Sequence, residues 1–205
     1  AANEGTAIAI AVGHHLASGG LPLVYLQNSG LGNTINPLLS LSDKEVYSIP
    51  LILLIGWRGE PGTKDEPQHI KQGRVTPSML ESMEIPYKLI TKDSDKSIFN
   101  AEWAASTALK TSSPVALLVQ KGSFDKNENL QSYELIEDFP LTREEAISTI
   151  VNNISQESII VSTTGMISRE LYEERIKMDK DLSNDFLTVG SMGHASQIAL
   201  GISKT

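Results

Sequence analysis

Short, continuous apolar runs bounded by Pro or Gly recur between helix-like segments, and Leu51-Ile52-Leu53-Leu54-Ile55 is the clearest of them. A strand with one wet face alternates apolar and polar residues. A strand that is apolar at every position has both faces covered, the condition of a parallel sheet lying between helices. The sequence therefore predicts an α/β chain of doubly wound parallel sheets. Strands are expected over Pro22 to Gln27, Pro50 to Trp57, Tyr87 to Ile90, Pro114 to Gln120, Ser158 to Ser162 and Phe186 to Val189. Helices are expected over Gly5 to Ala17, Asn33 to Leu41, Pro77 to Met83, Asp95 to Thr111, Thr142 to Asn153, Ser168 to Lys177 and Gly193 to Ile202. Thr142 followed by Glu145 has the form of a capping box. Between Gly122 and Pro140 the alternation lapses into polar residues such as Asp125-Lys126-Asn127-Glu128-Asn129. That stretch reads as a linker between two α/β units.

Composition narrows the function classes. With 17 Lys plus Arg against 25 Asp plus Glu, the net charge is −8, which argues against a nucleic-acid partner. The absence of Cys removes a disulfide framework, thiolate catalysis and Cys-ligated metals, and fits a cytoplasmic protein. Pro22, Gly30, Gly32 and Pro37 interrupt the uncharged stretch from Leu21 to Ser42, so it is no membrane span, and no secretory signal is visible. Ala1 is not a Met, and the helix-like run Met192 to Ser203 meets the end of the chain without a capping glycine. An internal piece of a longer protein is the expectation.

Ligands of open parallel sheets bind beyond the carboxyl ends of the strands, so the loops there carry the candidates. The first is Gln27-Asn28-Ser29-Gly30-Leu31-Gly32-Asn33, whose incomplete glycine fingerprint suits either a nucleotide site or a tight turn. The second runs from Gly56 to Arg74 and holds Arg58, Lys64, Lys71 and Arg74, which would face an anionic substrate or form a solvated, salt-bridged loop. His69, read here as a loop histidine, is either a proton carrier near neutral pH or simply solvated. The third pairs Ser162-Thr163-Thr164-Gly165 with Gly190-Ser191-Met192-Gly193-His194-Ala195-Ser196, two small-residue turns before helices that suit an anion such as diphosphate. His14-His15, on an apolar helix face, reads as structural.

Together, Asn3-Glu4-Gly5, the Gln27 to Asn33 loop, Trp57-Arg58-Gly59-Glu60-Pro61-Gly62 with Asp65-Glu66-Pro67-Gln68-His69, and Gly190-Ser191-Met192-Gly193-His194-Ala195 resemble the phosphonopyruvate decarboxylase family. That family uses thiamine diphosphate and is closely similar to the sulfopyruvate decarboxylases. The resemblance implies the thiamine diphosphate-binding fold, one nearly complete unit plus the start of a second. It divides the chain into a pyrimidine-binding domain over 1–124, a linker over 125–141 and the start of a diphosphate-binding domain over 142–205. It implies decarboxylation of 3-phosphonopyruvate, a small anionic 2-keto acid, to phosphonoacetaldehyde and CO2. It also implies a homo-oligomer, at least a dimer, with the cofactor at the subunit interface.

Residue roles follow from the same resemblance. Glu4 matches the carboxylate at N1′ of the aminopyrimidine, where it would promote the imino tautomer; its other reading is a first-turn carboxylate favoured by the helix dipole. Glu4, His69 and Asn28 are the catalytic candidates. Met192 matches the residue that bends the cofactor, with core packing as its alternative, and the carbonyl of Gly190 matches the acceptor for the 4′-amino group. Thr163, Thr164 and Gly165 are expected at the diphosphate, with Ser191, Gly193 and His194 completing the cofactor-binding set. Asn28, Ser29, Arg58 and Lys64 are expected on the substrate side.

One departure stands out: no Gly-Asp-Gly occurs in the chain, so no metal ligand is assigned here. The ligands of the Mg2+ that would anchor the diphosphate are expected beyond Thr205, and the isolated chain is expected to be inactive. The rival readings are a sulfopyruvate decarboxylase, a non-catalytic subunit or truncated paralogue, and a nucleotide binder.

Overall fold

The computed structural model describes residues 1, 3–125, 140–190 and 193–203. It forms two units, Ala1–Lys126 and Asn127–Thr205. Most of the linker expected over 125–141 lies outside the described residues.

In the first unit α1 (Glu4–Ser18) leads into β1 (Leu23–Gln27). A 3-10 helix (Asn28–Thr34), a single helical turn α2 (Ile35–Pro37) and a π-helical turn (Leu38–Ser42) follow, where one regular helix is expected from the sequence. Pro37 accounts for part of the difference, because it offers no N–H to a continuing α-helical ladder. Then come β2 (Leu51–Gly56), α3 (Pro67–Ser82), β3 (Tyr87–Ile90), α4 (Ser94–Thr111) and β4 (Pro114–Val119). The four strands form one parallel sheet in the order β1-β2-β4-β3, with Leu53 opposite Val24 on one side and Ala116 on the other.

Alternate residues feed two cores. Ile8, Leu31 and Leu80 pack with Leu51, Leu53, Ile55, Ala116 and Leu118 on one face, while Ala104 and Ala108 of α4 pack with Ile52, Val115 and Leu117 on the other. This double cover is why β2 and β4 read as unbroken apolar runs. The edge strand β1 is covered on one face only: Val24 and Leu26 are buried, whereas Leu23 and Tyr25 are exposed.

The largest correction concerns α3. A loop is expected up to Arg74 and a helix only from Pro77, yet the helix starts at Pro67 and runs through Pro77. Pro67 at the first position sets the helical φ without wasting a donor. Pro77 should break the ladder, since it cannot donate to the carbonyl four residues back, which is Gly73. The indole Nε1 of Trp57 donates to that carbonyl at 2.8 Å instead. His69 is consequently a helix residue, in the first turn of α3.

The second unit contains α5 (Arg143–Asn153), β5 (Val161–Ser162), α6 (Met166–Lys177), β6 (Phe186–Leu187) and α7 (Ala195–Ile202). Its strands are shorter than the sequence suggests, pairing in parallel over Val161 with Phe186 and Ser162 with Leu187. α6 begins two residues before the expected Ser168, and α7 begins at Ala195 rather than Gly193, which holds a left-handed φ of 83° that ordinary helices do not accept. The capping box on α5 forms as read, with the Thr142 and Glu145 side chains each bonding the other's backbone N–H. His15 is tied through Nδ1 to the Gly20 carbonyl at 2.8 Å, and His14 Nε2 lies 3.3 Å from Ser18 Oγ, so both close the end of α1. No helix among the described residues is long and apolar enough to cross a membrane.

Candidate functional site

The 3-10 helix after β1 organises the first group. Glu4, the first residue of α1, accepts a hydrogen bond at Oε2 from Asn33 Nδ2 at 2.8 Å. A Cβ at Gly30 would stand 2.2 Å from Glu4 Oε1, so glycine is what lets the carboxylate lie there. Asn3 caps the same helix by accepting from the Gly5 N–H at 2.8 Å. The half-buried Glu4 thus keeps one oxygen bonded to Asn33, while Oε1 has no protein donor among the described residues. A carboxylate held at one oxygen and open at the other is suited to bond a ring nitrogen of a ligand.

Asn28, a catalytic candidate from the sequence, is buried and braced. Its Nδ2 donates to the Arg58 carbonyl at 2.8 Å and to Thr76 Oγ1 at 3.0 Å, while its Oδ1 accepts from the Arg58 N–H at 2.9 Å. Asn28 therefore pins the end of β2 and the middle of α3 to the end of β1. Ser29 is half-buried, with its Oγ 3.4 Å from Gln27 Oε1.

Asp65 is the centre of the second group. It accepts from Arg58 Nε at 2.9 Å and Nη2 at 2.6 Å, from the Gly59 N–H at 2.7 Å and from the Glu66 N–H at 2.8 Å, and its Oδ1 lies 3.1 Å from His69 Nδ1. The bond from Arg58, with the smaller contributions of the Glu66, Gly59 and His69 donors, holds the Asp65 carboxyl far below the usual carboxylate range against the opposing pull of its burial. The same bond raises the Arg58 guanidinium above the ordinary arginine value. Arg58 is thereby committed to a protein carboxylate on two of its nitrogens, while Lys64 is exposed. The loop is closed by backbone contact: a Cβ at Gly59, whose φ is 67°, would stand 2.0 Å from the His69 carbonyl oxygen.

Further along the carboxyl ends of the strands, Glu60, Lys92, Asp93, Gln120 and Lys121 line an open cleft of about 410 Å³. Its charges are mixed, and Gln120 donates to Glu60.

In the second unit hydroxyls fix the turn after β5. Ser162 Oγ and Ser168 Oγ lie 2.7 Å apart, Ser168 Oγ donates to the Thr163 carbonyl at 2.7 Å, and Thr188 Oγ1 donates to the Ser162 carbonyl at 2.7 Å. Thr163 and Thr164 are half-buried, and Gly165, with φ 93°, opens α6 with no side-chain cap. α7, like α3, starts without a cap from the side chain of its N-cap residue, whereas Asn3, Asp93 and Thr142 cap α1, α4 and α5. Uncapped first-turn N–H groups suit an anion such as a diphosphate, so the residues present fit the group expected there. Gly190 is half-buried and Gly193 exposed; Ser191 and Met192 lie outside the described residues. Among the described residues no cluster of three His, Asp or Glu side chains is arranged to hold a metal ion.

The structure brings Glu4 together with Gly30 and Asn33, and His69 with Arg58 and Asp65. Two of these partners, Asn33 and Asp65, carry no assigned role in the sequence reading. Asp65 had a local signal, a carboxylate two residues before the helix-starting Pro67 and four before His69.

No family model matches the chain. It is similar to the phosphonopyruvate decarboxylases of Streptomyces viridochromogenes, at 33% identity over 97% of this chain and 51% of that protein, and of Streptomyces hygroscopicus, at 32% over 97% and 51%. It is also similar to the sulfopyruvate decarboxylase subunit alpha of Methanocaldococcus jannaschii, at 38% identity over 58% of this chain and 67% of that subunit. The chain spans about half the length of the two Streptomyces proteins.

Proposed function

The chain belongs to the family of phosphonopyruvate and sulfopyruvate decarboxylases, and from that premise we propose that it serves a cytoplasmic enzyme that decarboxylates 3-phosphonopyruvate to phosphonoacetaldehyde and CO2. The observation that carries the reading is the likeness to phosphonopyruvate decarboxylases along 97% of the chain. The half-buried Glu4, held by Asn33 over Gly30 with one oxygen open, supports it.

Thiamine diphosphate supplies the carbon nucleophile and electron sink of such a decarboxylation when bound. Toward it, Glu4 of one subunit would bond the aminopyrimidine ring, and the starts of α6 and α7 of another subunit, with Thr163, Thr164, Gly165 and residues 190–194, would hold the diphosphate. The Mg2+ would take its ligands from outside these 205 residues. His69 would carry a proton, with Ser29 and Lys64 beside the substrate. Asn28 would act by holding the backbone of Arg58. The working unit would be at least a dimer.

The 38% identity to a sulfopyruvate decarboxylase subunit favours sulfopyruvate as the second reading. Phosphonate and sulfonate are both tetrahedral anions, so relative kcat/KM decides between them. CO2 release by the reading frame that contains this chain, measured with phosphonopyruvate, sulfopyruvate and pyruvate in the presence of thiamine diphosphate and Mg2+, is the test. Phosphonopyruvate is expected to be preferred, and Glu4→Gln to lower kcat by at least about 100-fold. Release from none of the three acids overturns the proposal.

A further inference from the structure

Asp65 can accept hydrogen bonds but, ionised, cannot donate one. Its two oxygens are gripped by donors that do not swing away: the backbone N–H groups of Gly59 and Glu66 and the forked guanidinium of Arg58. His69 is equally fixed. Its backbone N–H donates to the Glu66 carbonyl at 2.9 Å, and its own carbonyl is packed against Gly59 so closely that no Cβ fits. Between these two fixed groups, Nδ1 of the imidazole faces Oδ1 at 3.1 Å. No group among the described residues bonds Nε2.

We infer that Asp65 is a positioning residue that fixes the proton of neutral His69 on Nδ1 and leaves Nε2 as the nitrogen that exchanges a proton with substrate. A neutral imidazole has one N–H, and facing an acceptor-only oxygen with Nδ1 obliges that nitrogen to carry it. Asp65, whose carboxyl the Arg58 bond holds below an already acidic ordinary value, is ionised throughout the neutral range, so the acceptor does not turn into a donor. The part that concerns catalysis rests on the decarboxylase reading. There, the carbon that loses CO2 keeps the electron pair of the broken C–C bond. The Nε2–H of a protonated His69 supplies the proton that turns this pair into a C–H bond, and solvent then restores the proton to Nε2. Asp65 aims the ring in both stages.

The tautomer can be read without any turnover. Two-bond 15N–1H spectra of the 205-residue chain in mildly alkaline buffer separate Nδ1–H from Nε2–H imidazoles, and His69→Gln identifies which signal among the four histidines belongs to His69. Wild type is expected as Nδ1–H, and Asp65→Ala as a mixture of both tautomers with unchanged circular dichroism. Asp65→Glu is expected to restore part of the Nδ1–H form. In the reading frame that contains the chain, Asp65→Ala is expected to lower kcat about 100-fold with KM little changed. A wild-type Nε2–H tautomer, or Nδ1–H retained in Asp65→Ala, overturns the inference. Should Asp65→Ala not fold, Arg58→Gln leaves the Asp65–His69 contact in place and is expected to keep the Nδ1–H form; its loss overturns the inference in favour of mere loop packing. A tautomer shift without CO2 release from any keto acid refutes the decarboxylase reading while leaving Asp65 as the group that places the proton.

Discussion

In the first unit the strand-end loops stand on a sheet whose central residues Leu51, Leu53, Ile55, Val115 and Leu118 are apolar and fully buried. In the second unit Val151 and Leu171 are the buried hydrophobics among the described residues, and the interior is otherwise polar. There Arg175 and Asp185 form a bidentate pair at 2.9 Å on both bonds, with side-chain exposures of 2% and 0%, and the Ser162, Ser168 and Thr188 hydroxyls form a separate hydrogen-bonded group. An apolar sheet gives cohesion without geometry and leaves ionised residues for the loops, as in the Asp65 hub. A polar interior supplies geometry, but every member must keep its partner. The two units thus hold similar strand–turn–helix junctions by different physics, and substitutions should separate them.

The largest effect is expected in the second unit. Asp185→Ala strands the Arg175 guanidinium in a buried site, which costs about 3–5 kcal/mol. Hydrogen exchange should show protection lost in α5 and α6 and kept in β2 and β4. Replacing both partners by apolar residues, Arg175→Met with Asp185→Leu, should recover most of the loss, because no charge is left unpaired. A double variant as unstable as the single one would contradict the contrast between the two units.

A smaller effect is expected at the loop of the first unit. Asp65→Asn should cost about 2 kcal/mol, toward the lower part of the range for charge-assisted bonds, because solvent screens an Arg58 side chain that is 40% exposed. The pH dependence has a definite sign. The folded Asp65 carboxyl sits below its unfolded value, so its contribution is complete above the ordinary carboxylate range and fades as pH falls through the lower, folded value. The difference in Tm between wild type and Asp65→Asn should be constant above about pH 5 and narrow below about pH 4. A difference that widens in acid would exclude this carboxylate as its source. The smallest change is expected for Thr142→Ala, which removes the capping box of α5 and should cost about 1 kcal/mol in thermal unfolding.

Much of the fold was legible because it depends on neighbours in sequence. The β2 and β4 runs declare their double cover, and Thr142 with Glu145 declares a helix start. The candidate site was legible as a set of loops, since open parallel sheets gather them at the carboxyl ends of the strands. Its internal arrangement was not. Arg58 has the chemistry of an anion-binding cation, and only the path of the loop shows that Asp65 already occupies it. Asn28 likewise has a free-looking amide until the backbone of Arg58 and the hydroxyl of Thr76 are placed around it.

By itself, then, the sequence determined the α/β alternation, the parallel sheet covered on both faces, and the glycines on which tight junctions depend, because hydrophobic periodicity and backbone freedom act over a few residues. Tertiary structure decided how far α3 extends, which carboxylate holds His69, and where Glu4 rests. Pro77 is a helix breaker by local rules, and it is tolerated because Trp57, distant in sequence, takes over the carbonyl it leaves unbonded. Glu4 finds Asn33 across 29 residues, and Asn28 finds Thr76 across 48. Such contacts are fixed by the packing of whole elements against the sheet, and that packing is set by buried surface summed over the unit rather than by any local stretch of chain.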